Sequence, residues 1–493
     1  MSLHERRGLI WFRTDLRIVD NTALTQARAN SDSLLAIYIS TPMQWYEHHV
    51  APIQIDLIRR RLTVLRDQLR AKEIPLIVVE VADYSLVPQA LLKISDQCRI
   101  HHVYCNKQYE WNESQRDEQA GQLLMNNKIR FSAYDDQCVI APGSVLTQKE
   151  APFKIFTPFR RQWLKLYRAN RPSPLPEVDG YQHNDTSVHH TAYRMGRNID
   201  LTYALPDTRS GSMNWPVDEE AIRQRLLMFC QEKAMEYHQC RDLPAKDGTS
   251  CLSPYLALGM LSPRQCLSAL LNVYPDGLDE PESGPFIWLN EIVWREFYRH
   301  LIVAAPKLSR DQPFHSWTKY VNWQHSEALL TAWQHGITGF PIVDAAMRQL
   351  KKTGWMHNRL RMITASFLTK DLLIHWQVGE QWFMRHLIDG DVASNNGGWQ
   401  WAASTGTDAQ PYFRVFNPTT QGERFDPNGV FIRKWVEELK DVPDRYIHQP
   451  HAWPNAHGLN YPTPIVDHKT ARVRAIAAFK DAKSMQDILN IER

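Results

Sequence analysis

The sequence lacks several features that mark whole classes of proteins. Cysteine is scarce, with seven in 493 residues, and no two of them form a C-x-x-C pair. Zinc or iron–sulfur ligation is therefore not indicated, and reduced cytosolic thiols are expected. No apolar run approaches the roughly 18 residues that a membrane span needs. The first residues, MSLHERRG, carry charge but no apolar core of signal-peptide length, so we expect a cytoplasmic protein without a metal centre.

Strong charge of either sign is also missing. The formal net charge is only +3, which excludes a polybasic nucleic-acid tail and leaves a local patch as the way to hold a polyanion. Tryptophan, by contrast, is abundant: 12 of the 17 tryptophans lie at or after Trp288. The length predicts two or three domains, and the uneven tryptophan distribution indicates two halves that do different work.

Residues 8–135 alternate between short β-rich runs and helical segments with charged faces. This alternation predicts a doubly wound parallel sheet. No G-x-G-x-x-G follows the first run, so the usual dinucleotide site is not supported there. The predicted strands are 8–12, 34–39, 75–81, 101–105 and 129–134.

The chain then changes character twice. Residues 172–216 are rich in Pro, Ser, His, Gly and Asn, which predicts a long surface connection between domains. From Asp218 onward the pattern is helical, with Pro341 at a helix start and Gly354 after a helix end. The clearest helical segments are 221–237, 263–274, 288–305, 357–376 and one near 468–483.

The stretch Asp389–Arg424 has five glycines and two tryptophans but no 3.6-residue apolar period. On composition alone it reads as a capped loop with buried tryptophans, or as backbone held close to something flat. Its text, DGDVASNNGGWQWAASTGTDAQPYFRVFNPTTQ, closely resembles the flavin-binding region of the DNA photolyase and cryptochrome family. The resemblance extends through WLNEIVWREFYRHL (288–301) and TGFPIVDAAMRQLKKTGWMHNRLRMITASFLTKDLLIHW (338–376). It reaches IWFRTDLRIVDN (10–21), so it covers nearly the whole chain.

The resemblance implies a fold and a domain plan. We expect an α/β N-terminal doubly wound parallel-sheet antenna domain (1–135), an interdomain connection (136–216) and an all-α C-terminal FAD-binding domain (217–493). An antenna chromophore would then lie near the carboxyl ends of the strands, where open α/β sheets place ligands.

A hydroxyl-rich segment at residues 248–253 precedes a helical segment, which suits a pyrophosphate but is also typical of an ordinary helix cap. It resembles the family's T-S-x-L-S flavin-phosphate segment, in which Cys251 stands where close relatives often have Arg. The implied contacts are Tyr237, Thr249, Ser250, Cys251, Leu252 and Ser253.

The resemblance also implies the surroundings of the flavin ring. Arg361 and Asp389 match an ion pair beside the ring, and Asn395 matches the residue that faces the nitrogen where reduction occurs. An amide can donate and accept, so it tolerates several redox states; without the flanking match, Asn395 reads as a turn residue. The further implied FAD contacts are Trp288, Glu291, Trp355, Asn358, Gly390 and Asp391.

Three tryptophans, Trp323, Trp376 and Trp399, would each ordinarily be core residues. The resemblance implies a relay of one-electron transfers from the surface to the flavin, with Trp399 nearest the ring. Whether the three indoles touch cannot be read from the sequence.

Glu291 and Trp294 share a helix face because they are three residues apart. This combination suits a pocket for an extrahelical base pair, because the carboxyl group can hydrogen-bond to the bases and the indole can stack on them. The family pattern adds Asn358, Met362 and Trp401 to this pocket, which would receive the damaged bases. It also implies DNA contacts by Arg241, Trp294, Arg295, Arg359 and Arg414. A charge group at Arg348, Lys351 and Lys352 adds positive field or is simply a solvated face.

Four residues match the positions at which folate-type relatives hold their antenna: His48, Asn112, Glu113 and Arg310. The implied antenna is a methenyltetrahydrofolate polyglutamate, and Arg310 stands where Lys is common. The implied function is light-driven repair of cyclobutane pyrimidine dimers in UV-damaged DNA by a monomeric, nucleoid-associated FAD enzyme. The alternatives are a six-four photoproduct photolyase, which has a histidine pair where this chain has Asn358 and Met362, and a cryptochrome photoreceptor.

Overall fold

The computed structural model of the chain describes residues 6–181 and 211–491. By internal contacts the chain forms two compact units. Unit 1 comprises residues 1–153, 157–235 and 250–306, and unit 2 comprises residues 154–156, 236–249 and 307–493. The predicted connection falls partly on residues 182–210, which lie outside the described residues.

Unit 1 contains a five-stranded parallel sheet in the order β3-β2-β1-β4-β5. In register, Leu9 of β1 pairs with Leu35 of β2 and with Val103 of β4. The strands are β1 Arg7–Phe12, β2 Ser33–Ser40, β3 Leu76–Glu80, β4 His102–Asn106 and β5 Arg130–Tyr134. All five confirm the predicted strands to within about a residue at either end.

The helices begin and end as follows: α1 Thr22–Asn30, α2 Pro42–Glu47, α3 Pro52–Arg70, α4 Val87–Cys98, α5 Trp111–Asn126, α6 Phe156–Ala169, α7 Glu219–Met228, α8 Tyr237–Cys240, α9 Ser253–Ala257, α10 Pro263–Val273, α11 Gly284–Ala304, α12 Glu327–His335, α13 Pro341–Thr353, α14 Asn358–Ser366, α15 Trp376–Met384, α16 Val392–Ala403, α17 Pro418–Phe425, α18 Val430–Trp435 and α19 His468–Ile491. None of the described helices combines the length and apolar character that crossing a bilayer requires.

Both faces of the three central strands, β2, β1 and β4, are buried, as their continuous apolar runs require. Leu9 and Trp11 of β1 pack with α4 and α5 in one hydrophobic cluster. Successive side chains point to opposite faces of a strand, and Ile10 and Phe12 are fully buried too. The doubly wound prediction is therefore confirmed.

The described parts of the predicted connection, apart from residues 154–156, belong to unit 1 and form no strand. Leu175 donates its backbone N–H to Asp20 at 2.8 Å, and Ser212 donates its backbone N–H to Asp56 at 2.9 Å. These hydrogen bonds satisfy backbone N–H groups that have no partner in a β-sheet. Within residues 136–216 the sequence reading did not identify helix α6, whose Trp163 side chain donates to the buried carboxyl of Glu296 at 2.6 Å.

Unit 2 is helical in its described part, and one hydrophobic cluster from Val321 to Ala482 forms its core. The predicted punctuation of α13 is correct, with Pro341 in the first turn and Gly354 left-handed (φ 68°) after the last. The prediction of one helical segment over 357–376 was wrong. Helix α14 continues as a π-turn at Phe367–Asp371, and Leu373 (φ 53°) turns the chain before α15 begins.

Candidate functional site

The predicted Arg361–Asp389 ion pair is present in unit 2. Arg361 Nη2 lies 2.7 Å from Asp389 Oδ2, and its Nε donates to the Met356 carbonyl at 2.8 Å. The Asp389 side chain is only 2% exposed, whereas that of Arg361 is 25% exposed. A buried pair of this kind contributes little to stability, but it fixes the direction of a guanidinium.

Helix α16 carries Asn395. The aspartates at the start of the stretch Asp389–Arg424 precede this helix and provide its cap. Asp391 is the N-cap and accepts from the Ser394 N–H at 3.1 Å. The Asn395 side chain donates to the Glu380 carbonyl at 3.1 Å, which orients the amide. The lack of an apolar period in this stretch suggested a loop, so residues 392–403 were not identified as a helix.

A buried acid that the sequence reading missed supports this region. The Glu380 carboxyl accepts from Asn396 at 2.8 Å, and Asn396 in turn accepts from Gln400 at the same distance. Burial raises the pKa of Glu380 to about 8, although the Asn396 hydrogen bond lowers it. The group is therefore largely protonated at neutral pH. Only its place four residues after Trp376, a tryptophan of the predicted relay, could have drawn attention to it.

The three tryptophans of the predicted relay, Trp323, Trp376 and Trp399, are buried in unit 2. The Trp399 ring contacts Trp333 and Phe383, with centroids 6.1 and 4.9 Å away. The backbone of Gly379 lies against Trp399, since a Cβ there would be 2.1 Å from its Cη2. The close approach of this indole explains why residue 379 is glycine. Among the described residues, the rings of Trp323, Trp376 and Trp399 do not contact one another.

Two of the predicted DNA-binding arginines of unit 2 converge on one carboxylate. Arg359 Nη2 lies 2.9 Å from Asp242 Oδ1, and Arg241 Nε lies 3.9 Å from the same oxygen. Arg414 is exposed elsewhere on the unit. Of the remaining charge group, Arg348 pairs with Glu438 at 2.7 Å, which favours a structural role for it.

The other predicted pocket residues of unit 2 are accessible. Asn358 is exposed at the start of α14, and Met362 is half-buried one turn later. Trp401 of α16 and Trp355 before α14 are half-buried. Gly390 precedes the Asp391 cap. Tyr237 begins α8, and the Arg241 guanidinium lies 5.6 Å from its ring centroid.

Helix α11 carries the predicted pocket residues of unit 1. Trp288 is buried against Phe229, with ring centroids 4.9 Å apart, whereas Glu291 and Trp294 are half-buried. Arg295 donates to the carbonyls of Gln137 at 2.6 Å and Leu256 at 3.1 Å. Its guanidinium thus supports the fold, and its predicted contact with DNA stays a prediction.

The predicted phosphate segment is divided between the units. Thr249 belongs to unit 2, and residues 250–253 belong to unit 1. Cys251 has a left-handed backbone (φ 50°), Leu252 is buried, and Ser253 begins α9, which is only five residues long. A left-handed backbone is uncommon outside glycine and often marks a functional constraint.

The predicted antenna residues of unit 1 come together. His48 Nε2 lies 3.0 Å from the Asn112 amide, and His48 Nδ1 lies 3.5 Å from Glu113 Oε1. Two further residues join them: Gln44 reaches His48 at 2.9 Å, and Tyr84 donates to Glu113 at 3.0 Å. Burial raises the pKa of the Glu113 carboxyl.

Gln44 precedes His48 by one helical turn, so its spacing could have predicted this contact. Nothing in the sequence pointed to Tyr84. Arg310, the fourth predicted antenna residue, is exposed at the end of a short 3₁₀ turn in unit 2.

Comparisons with known proteins identify the family of the chain. Residues 8–179 match a family model described as DNA photolyase, and residues 288–481 match the FAD binding domain of DNA photolyase. A deoxyribodipyrimidine photo-lyase of Vibrio cholerae is 48% identical, covering 96% of this chain and 99% of its own. The Escherichia coli protein of the same name is 49% identical over 96% of this chain and 98% of its own. A crystal structure of a class III photolyase from Agrobacterium tumefaciens has a TM-score of 0.83 at 32% identity, covering 98% of this chain and 99% of that one.

Proposed function

The chain belongs to the DNA photolyase family, and on that premise we propose that it is a deoxyribodipyrimidine photo-lyase that repairs cyclobutane pyrimidine dimers in DNA under blue light. The observation that carries the proposal is identity of 48–49% across nearly the full length of two relatives bearing that name. We further propose that it acts as a cytoplasmic monomer, with domains at 1–135, 136–216 and 217–493.

The residues of unit 2 fit FAD. Arg361 offers a guanidinium held at a fixed angle by Asp389, and the other carboxylate oxygen of Asp389 is buried without a hydrogen-bond partner among the described residues. Asn395, on helix α16, offers an amide that is oriented by its hydrogen bond to the Glu380 carbonyl. A cation, a hydrogen-bond acceptor and an amide that can both donate and accept form a set of groups that suits the polar edge of a flavin ring. When bound and reduced, FAD supplies the electron with which light opens the dimer.

In unit 1, Trp288, Glu291 and the segment 250–253 are further proposed contacts for FAD. In unit 2, the further proposed contacts are Tyr237, Thr249, Trp355, Asn358, Gly390 and Asp391. The chain's own work is to bind the cofactor, orient it and exclude water, because the difficult chemistry belongs to the cofactor.

Recognition of the lesion is proposed for Trp294 and Glu291. A dimer is already weakly paired and stacked, so its extrusion costs less than that of a normal pair. The indole supplies a stacking face, and the carboxyl group accepts hydrogen bonds from the base edges. Asn358, Met362 and Trp401 are the proposed pocket residues of unit 2, and Met362 adds polarisable packing.

Binding of the DNA backbone is proposed for Arg241, Arg359 and Arg414, with Arg295 in unit 1. In unit 2, Arg359 and Arg241 lie 2.9 and 3.9 Å from the same oxygen of Asp242, so the two guanidiniums lie close together. Such a local patch gives sequence-independent affinity even though the net charge of the chain is small.

The antenna is proposed to be a methenyltetrahydrofolate polyglutamate held by His48, Asn112, Glu113 and Arg310. The contacts among the first three support a preformed polar site in unit 1. Glu113→Ala should remove the near-ultraviolet absorbance of the folate and leave bound FAD unchanged. Recovery of a second flavin or a deazaflavin from the purified protein would refute the identity of this antenna.

The decisive experiment illuminates the purified protein with DNA that carries either lesion. We expect repair of cyclobutane dimers and none of six-four photoproducts. Trp294→Ala should lose about 1–3 kcal/mol of discrimination for the dimer, the value of one base–aromatic stack. Trp215→Ala, a half-buried tryptophan of the same unit outside the proposed pocket, serves as control. Repair of six-four photoproducts would overturn the lesion assignment, and no repair of either would indicate a cryptochrome.

A further inference from the structure

His375 lies between two of the proposed relay tryptophans. Its ring centroid is 5.2 Å from that of Trp323 at an interplanar angle of 64°, and 5.9 Å from that of Trp376 at 24°. Within residues 6–181 and 211–491, no other ring contacts both indoles, and Trp323 and Trp376 do not contact each other. The imidazole therefore occupies the one aromatic connection between them.

The local sequence holds this imidazole in place. His375 is the N-cap of α15, and its Nδ1 accepts from the Gln377 N–H at 3.3 Å. An N-cap acceptor satisfies an otherwise unpaired helix donor, so the side chain is fixed relative to Trp376, the first residue of the helix. Since Nδ1 accepts, the proton of the neutral ring resides on Nε2.

We propose that His375 is a positioning residue that couples Trp376 to Trp323 in the electron relay. The inference rests on the proposed relay of Trp323, Trp376 and Trp399. The step begins with Trp376 oxidised, because it has already given an electron to Trp399. One electron then passes from Trp323 to Trp376. Trp376 is thereby reduced and Trp323 oxidised, no proton moves, and a thiol reductant in solution later restores Trp323.

The charge state of His375 gives this role a distinctive signature. Burial lowers its pKa below the ordinary 6.5, and the nearby His325 lowers it further. The ring is therefore neutral at pH 7 and becomes a cation only in acid. A cation about 5 Å from an indole disfavours its oxidised form by on the order of a hundredfold in equilibrium population, even at an effective dielectric constant of about 20.

Other titratable groups pack around the same elements. Lys370 Nζ lies 3.5 Å from the ring centroid of Phe479, whose ring contacts Trp323 at 5.6 Å. Burial lowers the Lys370 pKa well below its ordinary value. Asp371 pairs with His468 at 2.5 Å on the π-turn and α19. Because these groups also titrate, the pH response must be compared between variants.

Two substitutions separate the ring from the cap. His375→Asn keeps an N-cap acceptor and removes the ring, whereas His375→Phe keeps a ring and removes both the cap and the titration. His315→Asn is the matched control, because His315 belongs to the same unit and contacts Phe314 but no relay tryptophan. FAD content and unfolding temperature are measured for every variant. The readout is the tryptophan radical absorbance after a laser flash, recorded with oxidised FAD bound, from pH 7 to pH 5.

We expect His375→Asn to slow oxidation of Trp323 at pH 7, and His375→Phe to preserve it. The parent should lose oxidised Trp323 as the pH falls, and His375→Phe should not. Parent-like kinetics in His375→Asn, or an acid loss that persists in His375→Phe, would overturn the inference. Trp323→Phe is the separate test of the relay: if it leaves flash-induced oxidation unchanged, the proposed relay fails, whatever His375 does.

Discussion

Replacing Gly379 by alanine places a methyl group where Trp399 now lies. The added Cβ would be 2.1 Å from Trp399 Cη2 and 2.5 Å from Leu368 Cδ2, both far inside van der Waals contact. The indole has little room to retreat, because Phe383 and Trp333 pack against it. Two opposing effects decide the result. Alanine is favoured over glycine inside a helix by about 1 kcal/mol, whereas overpacking a dense core costs about 1–3 kcal/mol.

Comparison with Gly398→Ala isolates the cost of overpacking. Gly398 lies inside α16, so alanine gains a similar helix propensity there, and its Cβ would meet nothing within 4 Å. The difference in unfolding free energy between the two variants should therefore be about 1–3 kcal/mol. For a unit of about 200 residues, each kcal/mol corresponds to about 2–4 °C in melting temperature.

The assay is thermal and urea unfolding of the full chain, followed by circular dichroism. Gly398→Ala should match or exceed the parent in stability, and Gly379→Ala should melt several degrees below Gly398→Ala. Equal melting temperatures would refute the reasoning, because they would mean that Trp399 yields without cost. A crystal structure of Gly379→Ala should show the displaced indole directly.

Three further predictions concern the proposed site. Trp399→Phe should abolish photoreduction of the bound flavin and leave dimer repair intact after chemical reduction; photoreduction at the parent rate would remove Trp399 from the relay. Arg359→Ala and Arg414→Ala should each weaken binding of damaged and undamaged DNA alike and flatten the log–log salt dependence by about one unit; an unchanged slope with lost lesion preference would argue against backbone contacts. Burial raises the pKa of Glu380 to about 8 from 4.5, so the folded chain holds a proton that the unfolded chain releases between those values, and stability falls as pH rises through that window. Glu380→Gln should remove this pH dependence of stability, which amounts to at most a few kcal/mol at about 1.4 kcal/mol per pKa unit. Urea unfolding midpoints at both ends of the pH window measure it. A pH dependence that persists in the variant would assign the titration to another group.

Local sequence patterns were enough to predict the five strands and several of the helices. A strand with apolar residues on both faces, such as Leu9–Phe12, has few stable places other than the middle of a covered parallel sheet. The boundaries of helix α13 are likewise set by residues at its own ends, since Pro341 suits a first turn and Gly354 tolerates a left-handed cap. The pairing of Arg361 with Asp389 was also predictable, although only from the family pattern.

Features that have no local signal in the sequence depend on how distant segments pack together. Helix α16 forms without an apolar period, because its faces pack on polar partners such as Glu380 as well as on the core. The segment 357–376 contains no Gly or Pro, yet it turns at Leu373 after Lys370 and Asp371 become buried with partners distant in the sequence. The contact of His375 with Trp323 joins residues 52 positions apart. Periodicity reports which side of an element is apolar, whereas a shared carboxylate, a ring stack or a buried proton depends on which elements meet.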